Sequence, residues 1–383
     1  MPRVLIVGGG IGGLATAAAL HLNGFDIAVF EQAPDLREAG AGVGLWSNSM
    51  ASLDLLAAGP TVRQTCNPLR KVAGANPQGK DLTLIDLDRL GPEFASAACY
   101  VALRPALLAA LAACVPHAAI HTNSRAVKIE SLPNRICLHL ENGSIEEGDL
   151  LIGADGLHSL VRTLVVGPDA LRYSGQTAFR GIARIPPPDP TVLREIQGPG
   201  QRGAVLPVNS NTVYWWAALN APAGKILPPE QRKPFLLDRF KGWPYGLPDA
   251  IEQTPPESIL HNDLVDRPPA RVYAKGRLAL IGDAAHPTTP NLGQGANMAI
   301  DDAIVLARCL RTSPSIPQAL EQYQRERLPR TRLVVQRSWN FGQVCLWRSP
   351  IAIKLREASL RLTPKPVLKN ILRWQILENA GTL

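Results

Sequence analysis

Apolar residues fall in short blocks along this chain, and the spacing within the blocks changes from one region to the next. Val4-Leu-Ile-Val7 is unbroken, as in a strand covered on both faces, and the Ala- and Leu-rich run Leu14–Leu20 suits a helix. Asp26–Phe30 reads as a second strand, Pro105–Cys114 as another helix, and Ala126–Glu130 and Ile136–Leu140 as alternating strands. Asn142-Gly143 is a strong hairpin signal, and its return strand leads into Asp149–Ile152. Beyond Gly167 the texture becomes β-rich, with Ala204-Val-Leu206 and Thr212–Ala217 set among the proline clusters Pro186–Pro190, Pro228-Pro229, Pro255-Pro256 and Pro268-Pro269. Arg277–Ile281 then resumes a buried parallel strand, and a helix is expected from about Ala296 to Leu310. The pattern predicts an α/β fold whose first domain is interrupted by an inserted, mainly β lobe. Its expected limits are 1–168 and 273–325 for the two parts of that domain, 169–272 for the lobe, and 326–383 for a helical C-terminal segment.

Glycines at the block ends carry the first chemical signal. Gly8, Gly10 and Gly13 lie between the first strand and the first helix. Gly8 permits a tight turn, Gly10 lets backbone approach a pyrophosphate, and Gly13 lets helix pack on strand. The helix N-terminus then offers free N–H groups to an anion. Glu31 follows the second strand, about 20 residues beyond the glycines, where a ribose-binding acid belongs. Strand, glycine turn, helix, strand and acid together indicate a dinucleotide site.

Composition narrows the class. The 383 residues provide for two domains or one large domain with an inserted lobe, and 46% hydrophobic with 19% charged residues is ordinary for a globular protein. No apolar run approaches the ~18 residues needed to span a bilayer. The first strand begins too early for a preceding leader, so a cytoplasmic location is expected. Six scattered cysteines lack metal-ligand spacing, so neither a structural metal nor a disulfide framework is expected. The net charge of +8 is local: from Arg325 onward there are 12 Lys and Arg against 3 Asp and Glu. Trp339, Phe341, Trp347, Ile351, Leu355, Ile371 and Trp374 are interleaved with these charges. The segment fits C-terminal helices with a solvated basic face, and peripheral contact with a membrane is the sharper alternative. No fold motif for nucleic acid accompanies the charge.

Two later motifs complete the site. Gly153-Ala-Asp155-Gly156 follows the Asp149–Ile152 strand, and Gly282-Asp283-Ala-Ala-His286 follows Arg277–Ile281. Asp283 stands where its carboxylate can accept hydrogen bonds from sugar or ribityl hydroxyls. The glycine-rich turn Pro290–Asn297 precedes a helix whose N-terminus would favour negative charge on a bound ring. His286 fits a structural role better than that of a base. No Ser/His/Asp or Cys/His arrangement has supporting context, which leaves hydrolysis without footing.

With these motifs in order, the chain resembles the single-component FAD-dependent aromatic hydroxylases of the 4-hydroxybenzoate hydroxylase type, especially the branch of salicylate hydroxylase, FAD-dependent urate hydroxylase and zeaxanthin epoxidase. The resemblance spans almost the whole chain. It places Glu31 and Arg37 on the adenosine side and Arg104 near the ribityl and phosphate region. It links Asp155, Gly156 and Arg162 to FAD and NAD(P)H, and puts Gly282 and Asp283 on the ribityl chain. Pro290, Gly293, Gln294, Gly295 and Asn297 match contacts to the flavin ring. Arg180 matches a position near the flavin edge, and Arg202 and Tyr214 match an arginine and a tyrosine that orient and activate substrate.

The resemblance implies that NADH or NADPH reduces FAD, that O₂ forms a C4a-hydroperoxide, and that oxygen passes to an electron-rich substrate carbon. An apolar lobe would exclude water from that step, with Phe179, Tyr214, Trp215 and Trp216 as wall candidates, though alternation turns only part of the Tyr214–Trp216 run toward any one side. Trp46-Ser-Asn48 departs from the x-Pro-Asn of many relatives, and Gln176–Phe179 is less polar than in urate hydroxylases. These departures leave three options beside hydroxylation of an aromatic or heteroaromatic molecule. The chain could epoxidise an isoprenoid, act as a flavin-dependent reductase on an isoprenoid or quinolone-like substrate, or serve as a non-enzymatic flavin redox sensor. A halogenase is disfavoured because Trp215 and Trp216 are adjacent and no W-x-W-x-I-P motif occurs. Either a monomer or a homodimer is compatible with the sequence.

Overall fold

The structure, a computed structural model, describes residues 2–36, 41–91, 93 and 99–377. A six-stranded sheet runs in the order Ala274–Lys275, Leu278–Leu280, Leu150–Gly153, Arg3–Val7, Asp26–Phe30, Ile120–His121. Every neighbouring pair is parallel except the one involving the edge strand Ala274–Lys275. The central strands are buried along nearly their whole length, which is why they are apolar without alternation. The helix Ile11–Leu22 packs against the helix Gly295–Thr312, and its buried alanines let the two approach closely. Val7 lies level with Gly153, and Gly153 with Leu280. All three glycine motifs therefore leave the sheet at the same carboxyl edge, where open α/β sheets bind ligands.

Between Leu150–Gly153 and Leu278–Leu280 the chain departs to build a second sheet. Because those two strands are neighbours in the first sheet, the lobe is an insertion. Its seven strands run Leu260–Asp266, Arg172–Ala183, Thr212–Asn220, Gln201–Asn209, Val192–Gly198, Lys71–Ala75, Asp81–Asp86. The last two come from the 1–168 stretch that the sequence pattern groups with the nucleotide domain. Lys71–Ala75 pairs parallel with Val192–Gly198, which would otherwise present an unpaired edge. The helices Pro229–Arg239 and Leu247–Glu252 cover one face of this sheet around Trp215, Leu236, Phe240 and Ile251. The other face joins the main core through Ala204, Leu206, Val208 and Tyr214.

Gly143 takes φ +87 between the antiparallel strands Ile136–Leu140 and Ile145–Gly148, as the Asn-Gly pair predicts. C-terminally, the 30-residue helix Ile316–Cys345 packs on Gly295–Thr312. Helices Pro350–Leu362 and Lys365–Leu372 and the π-helical turn Arg373–Leu377 follow. No helix among the described residues is long and apolar enough to cross a membrane.

Candidate active site

Where Arg3–Val7 ends, Gly8 adopts φ +106, a region that side chains rarely tolerate. A Cβ there would lie 2.4 Å from the Ala154 carbonyl oxygen, and one on Gly13 would lie 1.9 Å from the Gly8 carbonyl oxygen. The first motif is thus pressed against the second. A Cβ on Gly282 would lie 3.1 Å from that of Ala299, and one on Gly12 would touch both Ala299 and Ile281, which bring in the third. Gly10 is the extended residue before the helix Ile11–Leu22, which has no capping side chain and no acid in its first turn. The helix Gly295–Thr312 starts in the same uncapped state. Two helix N-termini therefore present N–H groups and positive dipole ends near one sheet edge. This donor set, above a cradle that accepts no side chains, fits a dinucleotide with an electron-accepting ring.

Around the cradle, Glu31 accepts hydrogen bonds from the backbone N–H groups of Gly9 at 2.6 Å and Ala33 at 2.8 Å, which fixes it on the glycine loop. Asp155 turns inward and accepts from Ser159 Oγ at 2.5 Å and Leu160 N at 2.7 Å. Arg162 is buried, donates to the carbonyls of Ala284 and Ala285 at 2.8 Å each, and pairs with Asp169 at 2.6 Å. Both of these side chains bind the protein's own groups, and Arg162 ties the second motif to the third. Gly156 takes φ +74 with open space on its Cβ side. Asp283 is exposed in the turn Gly282–Ala284. His286 is buried against Asp302 at 2.6 Å, and Asp302 also accepts from Gly282 N at 3.0 Å and Arg327 Nε at 2.7 Å. Burial alone would raise the Asp302 carboxyl, but the charges of His286 and Arg327 hold it down at about 2. This cluster supports the third motif from beneath, consistent with a structural His286.

The Pro290–Asn297 loop divides its residues between two tasks. Pro290 and Gly293 are exposed, and Gly293 takes φ +61 before Gly295 opens the helix. Asn297 is buried and donates to the carbonyls of Gly44 at 2.9 Å and Gly293 at 2.7 Å, while Gln294 donates to the Gln375 carbonyl at 2.6 Å. These two tie the loop to its surroundings. The buried Gln294 Oε1 has no hydrogen-bond partner among the described residues. Arg104 opens the helix Arg104–Ala112, with its backbone N–H on the Ala41 carbonyl at 2.9 Å. Arg37 lies outside the described residues.

The lobe's inner face closes the site. Trp216 lies between Arg180 and Ala204, and Tyr214 between Ile182 and Leu206, so these residues share a face. Trp215 and Phe179 belong to the opposite face. Trp215 donates to Thr254 Oγ1 at 2.8 Å beneath the covering helices, and Phe179 stacks on His261 with centroids 3.8 Å apart. Of the four wall candidates, then, Tyr214 and Trp216 point inward and the other two form outer core. A Cβ on Gly42 would lie 2.2 Å from Tyr214 Cγ, which puts the phenol ring directly on the strand Gly42–Leu45. Burial pushes the Tyr214 hydroxyl up to about 12, against the charges of Arg180 and Arg104.

Arg180 donates to Asn262 Oδ1 at 2.8 Å, and its Nε has no hydrogen-bond partner among the described residues. Arg202 is 3% exposed, faces Glu195 at 3.5 Å, donates to Asn291 Oδ1, and has its Cζ 5.2 Å from the Trp216 ring centroid. Its Nε is likewise without a partner among the described residues. Asn291 also donates to Thr289 Oγ1 at 2.9 Å and the Ser338 carbonyl at 2.8 Å, which makes it the link between Arg202 and the Pro290 turn. Neither Asn291 nor Glu195 carries a local sequence signal, because their significance lies in a contact between distant segments.

Residues 1–338 match the family described as "FAD binding domain". The chain is 36% identical over 363 residues to the aurachin C monooxygenase/isomerase of Stigmatella aurantiaca, with 94% of each chain covered. It is 30% identical over 340 residues to the FAD-dependent urate hydroxylase of Klebsiella pneumoniae, covering 87% of this chain and 88% of that one. The crystal structure of Klebsiella pneumoniae HpxO complexed with FAD and uric acid superposes with a TM-score of 0.90 at 27% identity, covering 99% of this chain and 97% of that one. A glycine cradle at one sheet edge, an inserted lobe facing it and likeness over nearly the full length agree: the chain belongs to this FAD-binding family, among the FAD-dependent monooxygenases of aromatic-hydroxylase fold.

Proposed function

We propose that this chain hydroxylates an aromatic or heteroaromatic small molecule at the expense of O₂ and NADH or NADPH. The observation that carries the proposal is the shared face of Arg180, Tyr214 and Trp216 in the inserted sheet, together with the contact of Tyr214 on the Gly42–Leu45 strand and of Arg202 on Asn291. Bound FAD supplies the electron transfer and oxygen activation. Gly8, Gly10, Gly13 and Glu31 hold its adenosine diphosphate half, Arg104, Gly282 and Asp283 the ribityl region, and the Pro290–Asn297 loop the ring. Asp155, Gly156 and Arg162 keep the second motif in position for this.

The protein's contribution to the chemistry follows from charge and exclusion. The Tyr214 hydroxyl stays protonated through the physiological range and can orient a substrate oxygen or nitrogen. Arg180 and Arg202 favour the deprotonated, more electron-rich form of a substrate ring, and Trp216 excludes water from it. Uric acid in the Klebsiella complex supports a heteroaromatic substrate class.

The test is a panel of aromatic and heteroaromatic compounds, screened for stimulated NAD(P)H oxidation with O₂ uptake, peroxide and product measured in parallel. Coupled O₂ uptake and a hydroxylated product are expected. Oxidation of NAD(P)H with substrate reduction and no O₂ uptake would establish a reductase instead. No stimulation by any compound would remove the proposal.

A further inference from the structure

One region outside the cofactor edge gathers large exposed apolar side chains. On the helix Pro350–Leu362, Ile351, Leu355 and Leu362 are 73%, 64% and 78% exposed. With Ala358 they recur at i, i+4, i+7 and i+11, a single outward stripe. Ile353, Arg356 and Leu360 lie on the opposite side. Arg356 is buried and donates to the Gly198 carbonyl at 3.2 Å, fixing the helix on the end of the strand Val192–Gly198. In the next helix, Lys365–Leu372, Val367 and Ile371 point outward while Leu368 and Leu372 pack on the main core.

Charge identifies the occupant. From Trp347 to Arg373 the sequence holds seven Lys and Arg against one Glu. Arg356 is buried and Lys369 and Arg373 pair with Glu93 at 3.1 and 2.5 Å, so the basic surface rests on Arg348, Lys354, Arg361 and Lys365 against Glu357. Lys354 and Arg361, seven residues apart, share one flank of the apolar stripe, where Glu357 pairs with Arg361 at 3.3 Å and leaves the flank net positive. Such a surface meets an anionic, apolar-cored partner favourably, and a second copy would set two equally basic faces together. We propose that Pro350–Leu372 docks the protein peripherally on an anionic lipid bilayer, with Ile351, Leu355, Leu362, Val367 and Ile371 entering the headgroup boundary and the basic flank facing phosphate. The neighbouring turn Arg373–Leu377 carries Gln375, whose carbonyl accepts from Gln294 and whose side-chain amide donates to the Leu292 carbonyl at 3.1 Å. The docked surface thus lies next to the Pro290–Asn297 loop.

The full chain, loaded with FAD, is mixed with vesicles of phosphatidylcholine alone or with one-third phosphatidylglycerol, and binding is read by flotation. Binding to the anionic vesicles is expected, at least about tenfold weaker on phosphatidylcholine alone and falling as ionic strength passes ~0.15 M. A triple Ile351→Glu, Leu355→Glu, Leu362→Glu variant should keep its FAD content and melting temperature, because the three positions are exposed, and lose vesicle binding at least tenfold. Failure of the wild type to bind anionic vesicles overturns the proposal, as does undiminished binding by a folded triple variant. A dimer of the wild type that the triple variant abolishes, without vesicle binding, would assign the face to a second copy and overturn it as well.

Discussion

Trp46 donates its indole N–H to the Gly293 carbonyl at 3.1 Å, while its backbone N–H reaches Asn297 Oδ1 at 2.8 Å. One residue, next to the Ser47 that departs from the x-Pro-Asn pattern, thereby holds the Pro290–Asn297 loop at its middle and at its C-terminal end. Trp46→Phe keeps most of the ring and removes the donor, leaving a carbonyl short of one partner. A loss of about 1 kcal/mol in stability is expected, with FAD affinity falling several-fold because the loop is less well held. Equilibrium FAD titration by flavin fluorescence reads this directly, and an unchanged affinity would detach Trp46 from the loop's placement.

Gly13 and Gly44 make a matched pair of substitutions with opposite expectations. A methyl on Gly13 would sit 1.9 Å from the Gly8 carbonyl oxygen, a backbone atom that cannot swing away. Gly13→Ala should exceed the ~1–3 kcal/mol typical of overpacking and purify without flavin. The Cβ direction of Gly44 meets no atom of the described residues within 4 Å. Gly44→Ala should change stability by less than about 1 kcal/mol, so any loss of FAD at constant melting temperature would mean that the methyl meets the cofactor. Equal melting temperatures for the two variants would contradict the packing of the first motif.

Asp302 joins Gly282, His286 and Arg327 in one buried cluster, so Asp302→Asn leaves the Arg327 cation without its carboxylate. A cost of about 3–5 kcal/mol is expected, measured by denaturant unfolding at neutral pH. The wild-type cluster has a defined acid limit. Its carboxyl lies at about 2 in the folded chain, below an unfolded value of roughly 3.9. Its contribution is therefore complete above pH ~3.9 and lost as pH falls through 2, on the order of 2 kcal/mol in all. A D302N variant with the same acid dependence as wild type between those limits would place the titration elsewhere.

What could be read along the chain was what local rules govern. Gly8, Gly143 and Gly293 announce their turns through positive φ, and unbroken apolar runs mark Arg3–Val7, Leu150–Gly153 and Leu278–Leu280 as strands buried on both sides. Alternation separates Trp215 from Trp216 but does not say which one faces inward. That depends on the helices Pro229–Arg239 and Leu247–Glu252 covering the side that holds Trp215 and Phe179. The hairpin of Lys71–Ala75 and Asp81–Asp86 likewise names no partner, since its strand neighbour Val192–Gly198 is remote in sequence. Asn291, Asp302 and Arg327 are ordinary polar residues until folding brings Asn291 to Arg202 and buries Asp302 and Arg327 together with His286 and Gly282. Polar function of this kind is set by desolvation and pairing, which have no period.

His261 behind Phe179 offers a check on the outer core. Its Nδ1 accepts from Leu227 N–H at 3.0 Å, and its Nε2 lies 2.8 Å from Thr177 Oγ1, whose hydroxyl reaches the Asn262 carbonyl at 3.1 Å. A backbone N–H can only donate, so the ring is neutral with its proton on Nε2. Burial and the Arg232 charge push it down to about 4, below the unfolded value of roughly 6.5. The neutral ring's contribution is complete above pH ~6.5 and declines as pH falls through 4. Nitrogen-15 NMR should show the Nε2–H tautomer at pH 7, and His261→Gln should flatten stability between pH 7 and 4. An imidazolium signal at pH 6 would contradict the Leu227 hydrogen bond, because Nδ1 can accept only when unprotonated.

Arg202 shares a sheet face with Trp216 and also reaches Asn291 in the Pro290–Asn297 loop, and a role toward substrate and a role toward that loop separate experimentally. Removing its guanidinium in Arg202→Ala strips Asn291 of one partner, but Asn291 keeps Thr289 and Ser338, so the Pro290 turn should stay in place. FAD content should therefore remain near stoichiometric while kcat/KM for an identified substrate falls by at least tenfold, the cost of losing about 1.4 kcal/mol of transition-state stabilisation. Arg202→Lys should recover only part of this, because an ammonium offers no planar fork to hold an anionic ring while pairing with Glu195. The companion variant Asn291→Ala should show the reverse pattern, weakened FAD retention with less effect on turnover of the loaded enzyme. Loss of FAD in Arg202→Ala, with normal turnover restored by excess flavin, would show that the arginine serves the loop and leave Tyr214 and Arg180 as the groups that face substrate.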